Sequence, residues 1–181
     1  MIQGFKWVYA HAAKWRYLLI ASSVLYGLAA IAGAVVGSNE PLQNTEGDIP
    51  HDPFYYLTHN SRSILLFLSG LLTFGMTSIF ALFANGFMIG FSVAGRNQDT
   101  PLWATLMHII PHGIFEIPAM LLAGAVGLYP LQLLVRYARN QRPLKIGWMS
   151  IVLSIVWIGA LLIAAAFVEA LISPAIIDWV T

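Results

Sequence analysis

Two carboxylic acids, Glu116 and Glu169, stand inside long apolar runs of this 181-residue chain. The other six acids, Glu40, Glu46, Asp48, Asp52, Asp99 and Asp178, fall in polar segments or near an end, and no Lys or Arg interrupts the apolar runs. An ionised carboxylate in hydrocarbon costs roughly 2.5–3.5 kcal/mol even on the lenient insertion scale. Each of the two must therefore be protonated, paired or bound to a cation. Glu116 lies in LMHIIPHGIFEIPA, where His108, His112 and Glu116 recur at i, i+4, i+8 and share one helix face. Imidazole nitrogen and carboxylate oxygen are the usual ligands of zinc and related divalent metals. His112 and Glu116, one turn apart, can chelate one ion, and Glu169 is the partner expected from another helix. His108 fits less well. On a straight helix the ends of the triplet are about 12 Å apart, and Pro111, between the two histidines, is expected to bend the chain.

The same residues have a metal-free reading, in which His112 and Glu116 hydrogen-bond each other and neighbouring helices. A proton or ion path is a third use of such groups. Asn85, in ALFANGFMIGFSVAG, is an amide in an apolar run and needs partners. It could orient His112 from behind. Gly86 and Gly90 form a GxxxG pattern and are assigned to close helix packing. Asn60 reads as a cap of the second helix, and His51 and Asp52 read as a solvated turn.

The elements that must hold these residues are membrane helices. Hydrophobic residues make up 59% of the chain and charged ones 9%, far below the quarter typical of soluble domains. A core of this size cannot hide that much apolar surface, so lipid must cover it. A net charge of +1 excludes a nucleic-acid footprint, and the absence of cysteine excludes thiolate chemistry. Six Trp and seven Tyr suit interfacial belts. Apolar runs cover residues 17–37, 63–95, 102–135 and 146–177. The two middle ones are about 33 residues long, against about 20 for one crossing. Gly70, Gly75, Asn85, Gly86 and Gly90 in one, and Pro111, Gly113 and Pro118 in the other, predict broken or re-entrant helices. Residues 1–16, basic and aromatic, predict an amphipathic helix at the membrane surface rather than a cleaved signal. Segment 38–60 carries four acids and no Lys or Arg; segment 136–145 carries Arg136, Arg139, Arg142 and Lys145 and no acid. The positive-inside rule puts the basic loop and the N-terminus in the cytoplasm and the acidic loop outside. The expectation is a single all-α transmembrane domain over residues 1–181, a polytopic bundle of about five spans with an external C-terminus.

PHGIFEIPA followed by AGAVGL, the earlier ANGFMIG and the terminal FVEALISPA together resemble the SpoIIM family, named for stage II sporulation protein M. The resemblance runs from about residue 17 to 175. Asn85 and Gly86 match its NG motif. Pro111, His112, Gly113, Glu116 and Ala119 match PHGxxExxA, and Glu169 and Pro174 match the terminal E-to-P motif. His108 matches no position of the pattern. The resemblance implies a small multi-pass membrane protein. The named member acts in engulfment, within a complex that remodels peptidoglycan, and relatives accompany circular-bacteriocin maturation and export. The leading expectation is a non-catalytic subunit of an envelope, membrane-remodelling or export complex. It would be built around a midplane site of Asn85, His112, Glu116 and Glu169 that holds a divalent metal, zinc first. A homodimer is expected from the GxxxG surface and small size. The alternatives are an intramembrane metal-dependent hydrolase, with His112 and Glu169 as ligands and Glu116 as general base, and a proton- or ion-coupled transporter.

Overall fold

A computed structural model describes the backbone of residues 2–39, 52–96, 101–142 and 147–172, and the side chains of these except 2–14, 108, 109, 111 and 112. The described residues form an all-helical bundle: α1 (Ile2–Gly37), α2 (Pro53–Leu68), a 3-10 turn at Ser69–Leu71, α3 (Met76–Arg96), α4 (Leu102–Gly127), α5 (Tyr129–Ala138) and α6 (Trp148–Leu171). Among the described residues four stretches are long and apolar enough to cross a membrane: Trp15–Gly37, Met76–Arg96, Gly113–Ala138 and Trp148–Leu171. α2, with 16 residues, is about 24 Å long, slightly short of the hydrocarbon thickness. It nonetheless packs one face, with Asn60, Ile64 and Phe67 buried, against α3, α4 and α6.

Helix directions alternate. Phe67 at the end of α2 and Gly127 at the end of α4 both meet Ser78 at the start of α3. Trp15 of α1 packs edge-on against Tyr129 at the start of α5, with ring centroids 6.1 Å apart. Ile163 and Phe167 near the end of α6 share a groove with Asp52 and Leu57 at the start of α2. The turn after α2, α5 and residue 15 of α1 thus share one end of the bundle, and Asp52 and the end of α6 share the other. Counting α2, five helices of the described residues cross the bundle in alternating directions.

Each helix shows its sorting in the sequence. On α1, Leu18, Ser22, Tyr26, Ala29 and Gly33 line the buried face, while Ile20, Val24, Leu28, Ile31 and Val35 are each more than half exposed on the opposite one. An aliphatic outer stripe on a packed helix is what lipid covers. α1 and α3 run parallel and meet through glycines from both sides. A methyl on Gly86 or Gly90 of α3 would strike the Tyr26 or Ala30 carbonyl; one on Gly33 or Gly37 of α1 would strike the Phe87 or Phe91 carbonyl. The GxxxG of α3 is therefore engaged within the chain, and a homodimer would have to use another face.

Several boundaries differ from those the sequence suggested. α2 begins at Pro53, inside the expected 38–60 loop, because the Asp52 side chain accepts from the Phe54 N–H at 2.9 Å and Pro53 needs no partner at the first position. Asn60 is thus interior to the helix, not its cap. The first long run does break, at Ser69–Gly75, where Phe74 and Gly75 take positive φ of 52° and 85° and Gly75 lies against Leu128 and Leu131. α3 continues unbroken through Asn85, Gly86 and Gly90. α4 continues through Pro111, Gly113 and Pro118, and the chain turns only at Leu128, before Pro130 starts α5. A proline removes one ladder bond, which a packed membrane helix tolerates. α5 extends to Ala138 and takes Arg136 out of the expected basic loop. From Ile2 onward the expected surface segment and the first span are one continuous helix, with Trp15 buried in the protein. Glu40, Glu46, Asp48, Asp99, Lys145, Pro174 and Asp178 lie outside the described residues.

The tightest knot is at the α2–α3–α4 corner. Ser78 is fully buried; its Oγ donates to the Phe67 carbonyl at 2.5 Å, and Gly70 and Gly127 leave no room for a methyl beside it. Ser78→Ala is expected to cost about 1 kcal/mol, and Ser78→Val about 1–3 kcal/mol. Thermal melts of the detergent-solubilised protein would show the ordering.

Candidate functional site

The inner faces of α4 and α6 converge on the two intramembrane acids. On α6 the stripe Ile151, Ser154, Ile158, Leu162, Ala165 is buried, and Glu169 is its next member. On α4, Glu116 precedes Ala119, Ala123 and Val126, all fully buried. Both carboxylates are half-buried and lie within electrostatic reach of each other.

Three further side chains complete the cluster. Asn60 of α2, 4% exposed, points its amide at the Glu169 carboxylate. The contact acts on the charge but falls short of well-formed hydrogen-bond geometry, since Nδ2 makes no strict hydrogen bond among the described residues. Tyr56, one turn earlier on α2, also lies within reach of Glu169. Tyr26 of α1, buried, lies within reach of Glu116. Four helices thus contribute to one polar centre. Glu169 belongs to the last turn of α6, so the centre is displaced from the middle of the bundle toward the end where α2 starts.

Asn85 is placed differently. Its Nδ2 donates to the Ala81 carbonyl of its own helix at 2.9 Å. The His108 and His112 side chains, and with them the expected His112–Asn85 pairing, lie outside the described residues. Among the described residues no three His, Asp or Glu side chains gather closely enough for a metal. The two acids do come together, and His112 is one turn before Glu116 on α4.

Sequence reasoning missed Asn60, Tyr56 and Tyr26. The first two had a signal: Tyr56, Asn60, Ile64 and Phe67 recur at helical spacing once Asp52-Pro53 is taken as the helix start. Tyr26 had none beyond its place in an apolar run.

An arrangement of two acids from separate helices, each with a neutral polar neighbour, can hold one cation. Two carboxylates within electrostatic reach of each other in a low-dielectric interior call for a counter-charge or a shared proton.

Comparison with known proteins points to one family. The stage II sporulation protein M family matches residues 22–174, a range that contains Tyr26, Asn60, Glu116 and Glu169. An uncharacterized protein of Methanocaldococcus jannaschii, MJ0793, is 30% identical over 163 residues, which cover 88% of this chain and 92% of that protein. No solved structure matches the chain. A multi-pass helical bundle carrying the PHGxxExxA and terminal E-to-P motifs, matched over most of its length, belongs to the stage II sporulation protein M family.

Proposed function

We propose that this chain is a non-catalytic subunit of an envelope complex for membrane remodelling or export, and that a divalent cation between Glu116 and Glu169 clamps its bundle. The observation that carries the reading is the convergence of these two acids from α4 and α6. Zinc is the first candidate, with His112 as the neutral third ligand. Two carboxylates, one imidazole and a divalent ion sum to zero charge, the condition a membrane interior favours. A cation held this way would tie together helices far apart in sequence, which is a structural use. Arg136 and Arg139 share one end of the bundle with Tyr17 and Leu18 at the start of the first span, which supports a cytoplasmic N-terminus and an external C-terminus.

The test is metal analysis of the full chain purified in detergent without chelator. One divalent ion per chain is expected, falling at least about tenfold in Glu116→Gln, Glu169→Gln and His112→Ala. Metal-free wild-type protein whose melting ignores added zinc would reject the clamp and leave a shared proton between the acids. Hydrolysis of peptide or lipid by the metal-loaded protein, lost in Glu116→Gln, would replace the non-catalytic reading.

A further inference from the structure

At the opposite end of the bundle a groove of about 390 Å³ opens between α1 and the α4–α5 corner. Its floor is apolar, with Leu18 and Ala21 on one side and Leu131 on the other, and its rim carries Arg136 and Arg139. Tyr17 flanks it, and the Arg16 guanidinium lies over the Tyr17 ring, 4.5 Å from its centroid. Arg136 is held in place by its Nη1, which donates to the Arg142 carbonyl at 2.9 Å. The three acids among the described residues, Asp52, Glu116 and Glu169, are on the start of α2, the middle of α4 and the last turn of α6. None lines this groove. The rim is therefore a cluster of guanidinium groups with no carboxylate of the described residues beside it.

We propose that this groove binds an anionic phospholipid, its phosphate held by Arg136 and Arg139 with Arg16 alongside, and an acyl chain laid along Leu18, Ala21 and Leu131. Charge complementarity selects the occupant. A cationic rim without acids calls for an anion, and an apolar floor calls for hydrocarbon; a phospholipid supplies both in one molecule. The groove lies at the end of the bundle where the apolar stretches begin at Trp15 and stop at Ala138, which would put its arginines at the level of the headgroups. Basic pockets between membrane helices take anionic headgroups, and guanidinium suits phosphate better than ammonium does because its fork is bidentate. The lipid would wedge α5 against α1 and brace the corner at Leu128.

The full chain, purified in detergent and delipidated, would be offered equal amounts of phosphatidylglycerol and phosphatidylcholine and examined by native mass spectrometry. Phosphatidylglycerol should be retained in preference by roughly 25-fold, about fivefold for each of the two rim arginines. Arg136→Gln with Arg139→Gln should bring the ratio close to one. Arg139→Gln alone, at an exposed position, should lower it roughly fivefold without disturbing the fold. Arg62→Gln, exposed on α2, should leave it unchanged. Equal retention of both lipids, or a ratio indifferent to Arg139→Gln, overturns the proposal. Displacement of the lipid by millimolar inorganic phosphate also overturns it, because the groove would then bind a free anion.

Discussion

Gly90→Leu is expected to destabilise the bundle by about 3 kcal/mol or more, and little of the protein should survive detergent extraction as a single species. The reason is the nature of what the new side chain meets. At Gly90 even a methyl group collides with the Ala30 carbonyl, and the next nearest atoms are also Ala30 backbone, its carbonyl carbon and Cα. A flexible neighbour could rotate aside; a helix backbone cannot. Relief requires moving α1 away from α3. That movement also opens the contacts of Gly86 with Tyr26 and Ala29, and those of Gly33 and Gly37 with Phe87 and Phe91. Gly90→Ala should fall between leucine and wild type. Gly27→Leu is the control. Gly27 is on α1 as well, but nothing lies within 4 Å of a Cβ built there. Its leucine would point into lipid and should change stability by no more than about 0.5 kcal/mol. Thermal melts and size-exclusion profiles of the three variants would measure this. Equal losses at Gly90 and Gly27 would mean that α1 and α3 are not in register as described.

Gly86 and Gly90 were legible as a packing surface because GxxxG has one strong physical use in membrane helices. Their partner was not legible. Gly33 and Gly37 repeat the spacing on α1, but they stand among Ala29, Ala30 and Ala34, where small residues alone do not single out a seam. The break near Gly70 and Gly75 was readable from two glycines close together. The prolines misled in the other direction. Pro111 and Pro118 predicted interruption from their cost in an isolated helix, whereas neighbouring helices hold α4 together across both. Asn60 was misread for a local reason. The acidic segment reads as loop up to that residue unless weight is given to Asp52-Pro53, an acceptor side chain followed by a residue without an N–H. Moving the helix start back to Pro53 turns Asn60 from a cap into an interior amide. The inward placement of the two acids could be argued from the cost of a charge in hydrocarbon. Their surroundings could not, since a tyrosine such as Tyr26 is expected at the membrane interface and nothing in the spacing turns it toward Glu116.

Asn60→Asp should be the most damaging single change at the polar centre, although it replaces an amide by a near-isosteric carboxylate. Asn60 already points at Glu169, and Glu169 already faces Glu116. The substitution puts a third acid in a space that must neutralise two. A buried charge without compensation costs about 3–5 kcal/mol, and the loss here should approach that range at neutral pH. Glu169→Asn alone should be milder, because it removes a like charge from Glu116 while also removing the partner of Asn60. The exchanged pair, Asn60→Asp with Glu169→Asn, restores two acids and one amide at the same three positions. It should recover most of the loss, with a coupling of at least about 1 kcal/mol in a double-mutant cycle. The cycle also separates the two ways of neutralising the centre. If a divalent ion sits between the acids, added zinc should rescue Asn60→Asp more than it raises wild type, since a third carboxylate adds a ligand. If the acids share only a proton, zinc should rescue neither. An exchanged pair no more stable than Asn60→Asp would show that Asn60 and Glu169 do not act on each other. The polar centre would then lose the element that joins α2 to α6.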